Sequence, residues 1–186
     1  MSRPLDELLT FAERAYVRME AEQLIGQCLD QGDPALFYDL LKGLVLAGSS
    51  SLGVMREILE ELRSTRTTLK REGMTVRQDL AEALSGFGVD AGTLLSTDSP
   101  EAFRLICSQR LRDEARRTTD SLRPEDAILL EELCGEAGDR VSRIARRLVL
   151  LMKLEESVQD WIAGLVYEAS QQHEDWTSQG RLQPVL

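Results

Sequence analysis

The chain has 186 residues, of which 42% are hydrophobic, a composition that fits one domain or two small lobes with a substantial apolar core. With 32 acidic and 22 basic residues its formal net charge is −10, so its overall field repels polyanions. No apolar run approaches the roughly 20 residues that a membrane-spanning helix needs, which argues against a membrane protein.

The first part of the chain predicts three long helices and one short one. Apolar residues spaced by three and four predict a helix over residues 3–31, with Ser2 as its cap and Gly32 after its last turn. The pair Asp33-Pro34 then opens a helix over 34–47, because Asp is a good N-cap and Pro suits the first helical position. A third helix is predicted over 52–72. The T-x-x-Q capping box that begins at Thr75 predicts a short helix to about residue 84.

The second part of the chain begins after a segment with three glycines and no sustained period, residues 85–99, which we interpret as an ordered connector. Ser99 and the proline after it predict a helix to about residue 119. From Pro124 to about residue 176 the pattern is helical, with a predicted break near Gly135 and Gly138. The expected organisation is an N-terminal lobe (1–84), the connector, a C-terminal lobe (100–176) and a frayed tail (177–186), or one single domain.

Helix signals are dense along the whole chain and strand signals are nearly absent. The predicted fold class is therefore all-α, a helical bundle of about six helices with a long C-terminal helix. A helix much longer than the mean of about 11–12 residues exceeds what a small domain needs. This excess favours pairing with a partner, for example in a coiled coil.

One stretch resembles a nucleotide-binding loop, because Gly48 and Gly53 have the G-x-x-x-x-G spacing after an apolar run. A P-loop continues with Lys and Ser or Thr, which hold the phosphates and Mg²⁺. Here Val54 and Met55 occupy those positions. We therefore predict a turn between two helices, with Ser50 or Ser51 as the cap of the second, and leave open that its free amides hold an anion.

No pattern of residues predicts a catalytic, metal or cofactor site. His173 is the only histidine, and its place near a helix C-terminus suits a solvated or capping role. Cys28, Cys107 and Cys134 are too scattered for a CxxC pair, so we interpret each as a small buried hydrophobic residue. The N-terminus has acidic residues where a signal peptide needs apolar ones. We expect a cytoplasmic protein without enzymatic activity.

Arginine accounts for 19 of the 22 basic residues and forms two clusters on predicted helices. In the second cluster, Arg140, Arg143 and Arg147 share a helix face and could contact a phosphate backbone. However, residues 101–150 hold ten acidic residues beside ten arginines. Salt bridges along the helix faces are therefore the favoured interpretation, ahead of an acidic protein partner or a nucleic acid.

These observations predict a helical protein–protein interaction module that is a homo-oligomer or a subunit or adaptor of a larger assembly. The predicted partner-binding residues lie on the long C-terminal helix: Leu151, Leu154, Tyr167 and Trp176. The alternative is an auxiliary subunit of a protein–nucleic-acid complex that uses the three arginines. A third hypothesis, a small-molecule-binding regulator, requires a cavity lined by the second helix.

Overall fold

The computed structural model describes residues 9–47, 50–88, 92, 96, 99, 102–103, 109 and 123–180, with the side chains of 40, 46–47 and 172–180 left aside. These residues form four helices and no strand: α1 (Phe11–Gln31), α2 (Pro34–Ala47), α3 (Ser51–Gly86) and α4 (Pro124–Gly180). The all-α class is confirmed, but the described helices number four and not about six. No helix in these residues is long and apolar enough to cross a membrane.

The first helix begins later than predicted, at Phe11. Thr10 caps it: the Thr10 hydroxyl oxygen accepts from the Glu13 N–H at 3.2 Å, and the Glu13 carboxylate accepts from the Thr10 N–H at 2.8 Å. This reciprocal capping box satisfies two N–H groups that lack partners within the helix. Ser2, the predicted cap, lies outside the described residues.

Predicted turns with local capping signals are confirmed. Gly32 ends α1 in the left-handed conformation at φ 69°, and its N–H donates to the Cys28 carbonyl at 2.8 Å. The Asp33 carboxylate then accepts from the Ala35 N–H at 2.9 Å and caps α2. Ser50 caps α3 by accepting from the Gly53 N–H at 3.1 Å. A helix, α2, therefore precedes the stretch where a P-loop needs a strand, and a helix follows it. Gly48 itself lies outside the described residues.

Two predicted helix ends are wrong. Residues 75–84 do not start a new helix, because α3 runs unbroken to Gly86 and the Thr75 hydroxyl donates back to the Arg71 carbonyl at 3.1 Å. Likewise α4 continues through Gly135 and Gly138 for 57 residues. The predicted start of that helix at Pro124 is confirmed, with the Ala127 N–H donating to the Arg123 carbonyl.

At Ser99 the predicted cap is present, since its hydroxyl accepts from the Ala102 N–H, but most of the helix predicted after it lies outside the described residues.

The chain divides into two compact units whose boundaries fall inside helices. One unit comprises the described residues of Met1–Thr65 and Leu150–Leu186, and the other those of Arg66–Val149. We call them the outer-sequence unit and the inner-sequence unit. The predicted division into lobes at 1–84 and 100–176, joined by a connector at 85–99, stays a prediction.

The core of the outer-sequence unit combines apolar side chains from all four helices. α1 packs against α2. Tyr38 of α2 reaches α4, where its hydroxyl lies 2.9 Å from the Ser157 hydroxyl and its ring packs 5.7 Å from that of Trp161. Fully buried members of this core include Ile25, Cys28, Phe37, Leu41, Ile58, Leu62, Leu151, Leu154 and Val158.

The inner-sequence unit has its own core, formed by α3 and α4. An added methyl group at Gly73 of α3 would lie 3.6 Å from the Ile144 side chain of α4, an ordinary packing distance. Phe103 is fully buried, and the Arg77 guanidinium lies 5.6 Å from the centre of its ring, within cation–π range. Among the described residues of this unit, the other buried side chains are Leu69, Val76, Leu80, Leu84, Leu130, Cys134, Ala137, Val141 and Ile144.

Candidate protein-interaction surface

The apolar residues of α1 lie on two opposite faces of the helix. The buried face carries Val17, Ala21, Leu24, Ile25 and Cys28. The opposite face, which we call the outer strip, carries Phe11, Ala12, Ala15, Tyr16 and Met19, all exposed. At 3.6 residues per turn, these five positions fall within a sector of about 140° centred opposite the buried one.

The outer strip holds three large exposed side chains and no charge. Phe11 is 89% exposed, Tyr16 53% and Met19 50%. Single exposed apolar residues are normal on protein surfaces, but a continuous apolar face is a feature of interaction sites. An α-helix that is apolar on opposite faces can bury one in its own core and present the other to a partner.

An ion-pair cluster connects one flank of α1 to α3. Glu57 of α3 accepts from the Arg18 Nε at 2.8 Å and lies 3.3 Å from the Arg14 Nε. The Glu57 side chain is mostly buried, whereas both arginines are partly exposed. The hydrogen bond and the charge of Glu57 raise the pKa of Arg18, so this cation stays charged. Because the two arginines are one turn apart on α1, they hold that flank against α3 and leave the outer strip facing solvent.

Two other titratable groups of the outer-sequence unit have shifted pKa values. Burial and the nearby Glu22 raise the pKa of Glu61 above its ordinary value, while Arg18 partly opposes the shift. Burial and Asp33 raise the pKa of the Cys28 thiol, whose S–H donates to the Asp33 carbonyl at 3.1 Å. Cys28 and Cys134 are buried, which confirms their interpretation as small core residues, and Cys107 lies outside the described residues.

The predicted partner-binding residues have different environments. Leu151 and Leu154 are fully buried in the core of the outer-sequence unit. Tyr167 is 65% exposed, and Trp176 lies among the residues whose side chains are not described. The two leucines are thus already packed within the chain and are not available to a partner.

The three predicted phosphate-contacting arginines line one side of α4. The Arg140 guanidinium lies 3.9 Å from the Glu72 carboxylate of α3. Arg143 is exposed, and Arg147 is half-buried and has an interaction partner. The Arg140–Glu72 pair agrees with the favoured interpretation of salt-bridged faces. Contact with nucleic acid stays a prediction.

The chain matches no protein-family model, no curated protein and no solved structure. Its surfaces are therefore interpreted from their own chemistry. Within the described residues, no group of three or more His, Cys, Asp or Glu side chains is placed to hold a metal ion.

The sequence contained the signal for the outer strip, but the pattern could be divided in two ways. Ala12, Ala15, Tyr16 and Met19 belong to the spacing that predicts the first helix, and by spacing alone they form one apolar pattern with Leu24 and Cys28. The structure separates them from the buried face. Val17 and Ala21, which the predicted pattern omitted, take the inward positions.

Proposed function

We propose that the protein is a non-enzymatic, helical protein–protein interaction module and that the outer strip of α1 is its contact surface. The supporting observation is the exposed, uncharged face formed by Phe11, Tyr16 and Met19, opposite the buried face of the same helix. Such a face complements the apolar face of another helix, the arrangement in which helices recognise one another.

The size of the outer strip sets the expected kind of contact. Since a buried aromatic residue covers about 150–250 Å², the three large side chains at their observed exposure offer on the order of 400 Å². That equals a typical largest apolar patch on a monomer and about half of the ~800 Å² that each partner contributes to a standard interface. The outer strip is thus large enough to be the apolar centre of a stable interface that includes further residues. By itself it would form only a transient contact.

Small residues between the large ones favour close helix packing. Ala12 and Ala15 lie on the outer strip between Phe11 and Met19. Helices pack with axes 8–10 Å apart, and the shorter distances require small side chains at the contact. A partner helix could therefore seat its own large residues over the two alanines, flanked by the aromatic rings.

The test is native mass spectrometry of the full-length chain, purified gently from its own host. We expect a mass above that of the 20.9 kDa monomer. A multiple of the monomer mass identifies a second copy as the partner, and any other excess identifies a different protein. A strictly monomeric chain with no associated protein would contradict the proposal.

A pair of matched variants tests the surface itself. Met19→Glu places a charge in the outer strip, and burying that charge at an apolar contact is costly. Met74→Glu makes the same change at an exposed methionine of the inner-sequence unit. The Met19 variant should lose the additional mass and the Met74 variant should retain it. Equal behaviour of the two variants would exclude the outer strip as the contact surface.

A further inference from the structure

A cleft lies between α3 and α4 within the inner-sequence unit, and its volume is about 140 Å³. The apolar part of its lining is Val76, Leu80, Ala83, Leu133 and Ala137. Small side chains on both helices, Ala83 and Ala137, account for the space. Three charged residues complete the lining: Asp79, Glu136 and Arg140.

The volume of the cleft indicates what it can hold. Sites for metabolites and cofactors are usually about 300–1,000 Å³, well above the size of this cleft. A cavity of about 150 Å³ with apolar walls accommodates a benzene ring. The cleft thus has room for one leucine-sized or phenylalanine-sized side chain and not for a whole metabolite.

The charges at the cleft favour a cationic neighbour. Asp79 and Glu136 are exposed, and neither forms an ion pair with another described residue. The positive charge of Arg140 is partly offset by Glu72, 3.9 Å away. Among the described residues these two carboxylates have no ion-pair partner, and Arg140, the one cation of the lining, already lies near an acid. A lysine or arginine would therefore be attracted to the cleft and an acidic residue repelled.

We propose that this cleft receives a single apolar anchor side chain from a helical segment of a partner protein, with basic residues one turn away on each side that pair with Asp79 and Glu136. The volume of the cleft limits the anchor to a side chain about the size of leucine or phenylalanine. The two carboxylates favour basic residues beside that anchor. The net charge of −10 adds long-range attraction for a basic segment and increases the association rate. This surface is separate from the outer strip of α1 and does not depend on the function proposed for it.

A synthetic helical peptide tests the proposal on the ¹⁵N-labelled full-length chain. The peptide has one central leucine with lysines three or four positions away on both sides, since such positions share a helix face. Its two control peptides replace the leucine with alanine or the lysines with glutamate. The amide signals of residues 76–83 and 133–140 should shift with the first peptide. Each control peptide should bind about tenfold more weakly or worse, and binding should weaken as salt is added.

Variants of the protein distinguish binding at the cleft from nonspecific electrostatic binding of a basic peptide to an acidic protein. Ala83→Leu fills the cleft, and Ala163→Leu makes the same change at an exposed alanine of the outer-sequence unit. Only the first should abolish binding. The pair Asp79→Asn and Glu136→Gln should weaken binding, while Glu156→Gln with Asp160→Asn, which removes two exposed acids elsewhere, should leave it unchanged.

Three results would overturn the proposal. The first is equal affinity for the leucine and alanine peptides, a comparison that needs no protein variant and is unaffected by any folding defect. The second is unchanged binding by the Ala83→Leu variant. The third is equal affinity for benzylamine alone, because the cleft would then be a site for a free small cation.

Discussion

Thr10 and Thr75 are two threonines whose hydroxyl groups make opposite hydrogen bonds. The Thr10 hydroxyl accepts from the Glu13 N–H at the start of α1, where an N–H group would otherwise lack a partner. The Thr75 hydroxyl donates to the Arg71 carbonyl within α3, which is already part of a continuous helix. The Thr10 bond stabilises the start of α1. The Thr75 bond adds little to the stability of α3, because the Arg71 carbonyl lies inside a helix that is already formed.

Replacing each threonine by alanine should therefore have different effects on stability. Thr10→Ala should lower the free energy of unfolding by about 1 kcal/mol, the usual cost of losing an N-cap. Thr75→Ala should change it by less than about 0.5 kcal/mol, because alanine is the better helix former. Urea unfolding followed by circular dichroism measures both. Equal losses for the two variants would show that Thr10 does not act as a cap.

Glu61 should make stability depend on pH. Its pKa is raised by burial and by Glu22, so the folded state binds a proton more readily than the unfolded state. The ionised carboxylate then destabilises the fold above the folded-state pKa, and this cost disappears as the pH falls below the unfolded value.

The variant Glu61→Gln removes that charge. It should unfold at a higher urea concentration than the parent at about pH 7, and the difference should disappear by about pH 4, close to the ordinary glutamate pKa. Glu156→Gln, at an exposed position of α4, controls for the loss of one acid. A gain at neutral pH that persists undiminished in acid would contradict the role of the charge.

At the scale of the helices, ends marked by local hydrogen bonds were predictable and internal continuity was not. Gly32, Asp33, Ser50 and Pro124 each satisfy a backbone requirement that neighbouring residues define, so the sequence was enough. Continuation through Gly135 is different, since a glycine costs only about 1 kcal/mol in a helix. Packing of α4 in both units outweighs that cost, and such packing cannot be obtained from residue spacing.

Two glycine substitutions test this difference. An added methyl group at Gly135 meets no atom within 4 Å, and the residue is helical. Gly135→Ala should therefore stabilise the protein by about 0.5–1 kcal/mol. Gly32 also has free space, but its φ of 69° is the left-handed conformation, so Gly32→Ala should destabilise it by about 1–2 kcal/mol. Thermal unfolding measures both changes. Destabilisation by Gly135→Ala would contradict a continuous α4.

The candidate sites, like the helix continuity, depend on packing that residue spacing does not show. The residues of the outer strip were visible as apolar positions, but which of two apolar faces enters the core is decided by packing against residues far along the chain. Glu57, which contacts Arg18 from 39 residues away, is one of them. The α3–α4 cleft combines Ala83 with Ala137, whose proximity no local pattern shows.

At the scale of the whole molecule, the boundaries between the two units lie within α3 and α4. Ordinary domain boundaries fall in exposed linkers with few hydrogen bonds. Here the backbone hydrogen bonds of a helix continue past Thr65 and past Val149. The residues at both boundaries are therefore helical.

Hydrogen exchange measures this directly. Amides of residues 62–70 and 146–153 should exchange slowly, as amides at the centre of a helix do, while those of residues 11–13, in the first turn of α1, exchange fast. Mass spectrometry of peptic fragments gives the rates. Fast exchange at 62–70 or 146–153 would mean that the helices open at the boundaries.

The order of the units along the chain has a consequence for synthesis. The inner-sequence unit is one continuous segment, so all its residues are added to the growing chain before Leu150. α2 is synthesised much earlier than the end of α4. Ser157, whose hydroxyl pairs with that of Tyr38, is added 119 residues after Tyr38. Leu151, Leu154 and Val158 arrive equally late. A chain released at residue 149 would thus contain every residue of the inner-sequence unit, whereas its core around α2 would lack the side chains that α4 supplies.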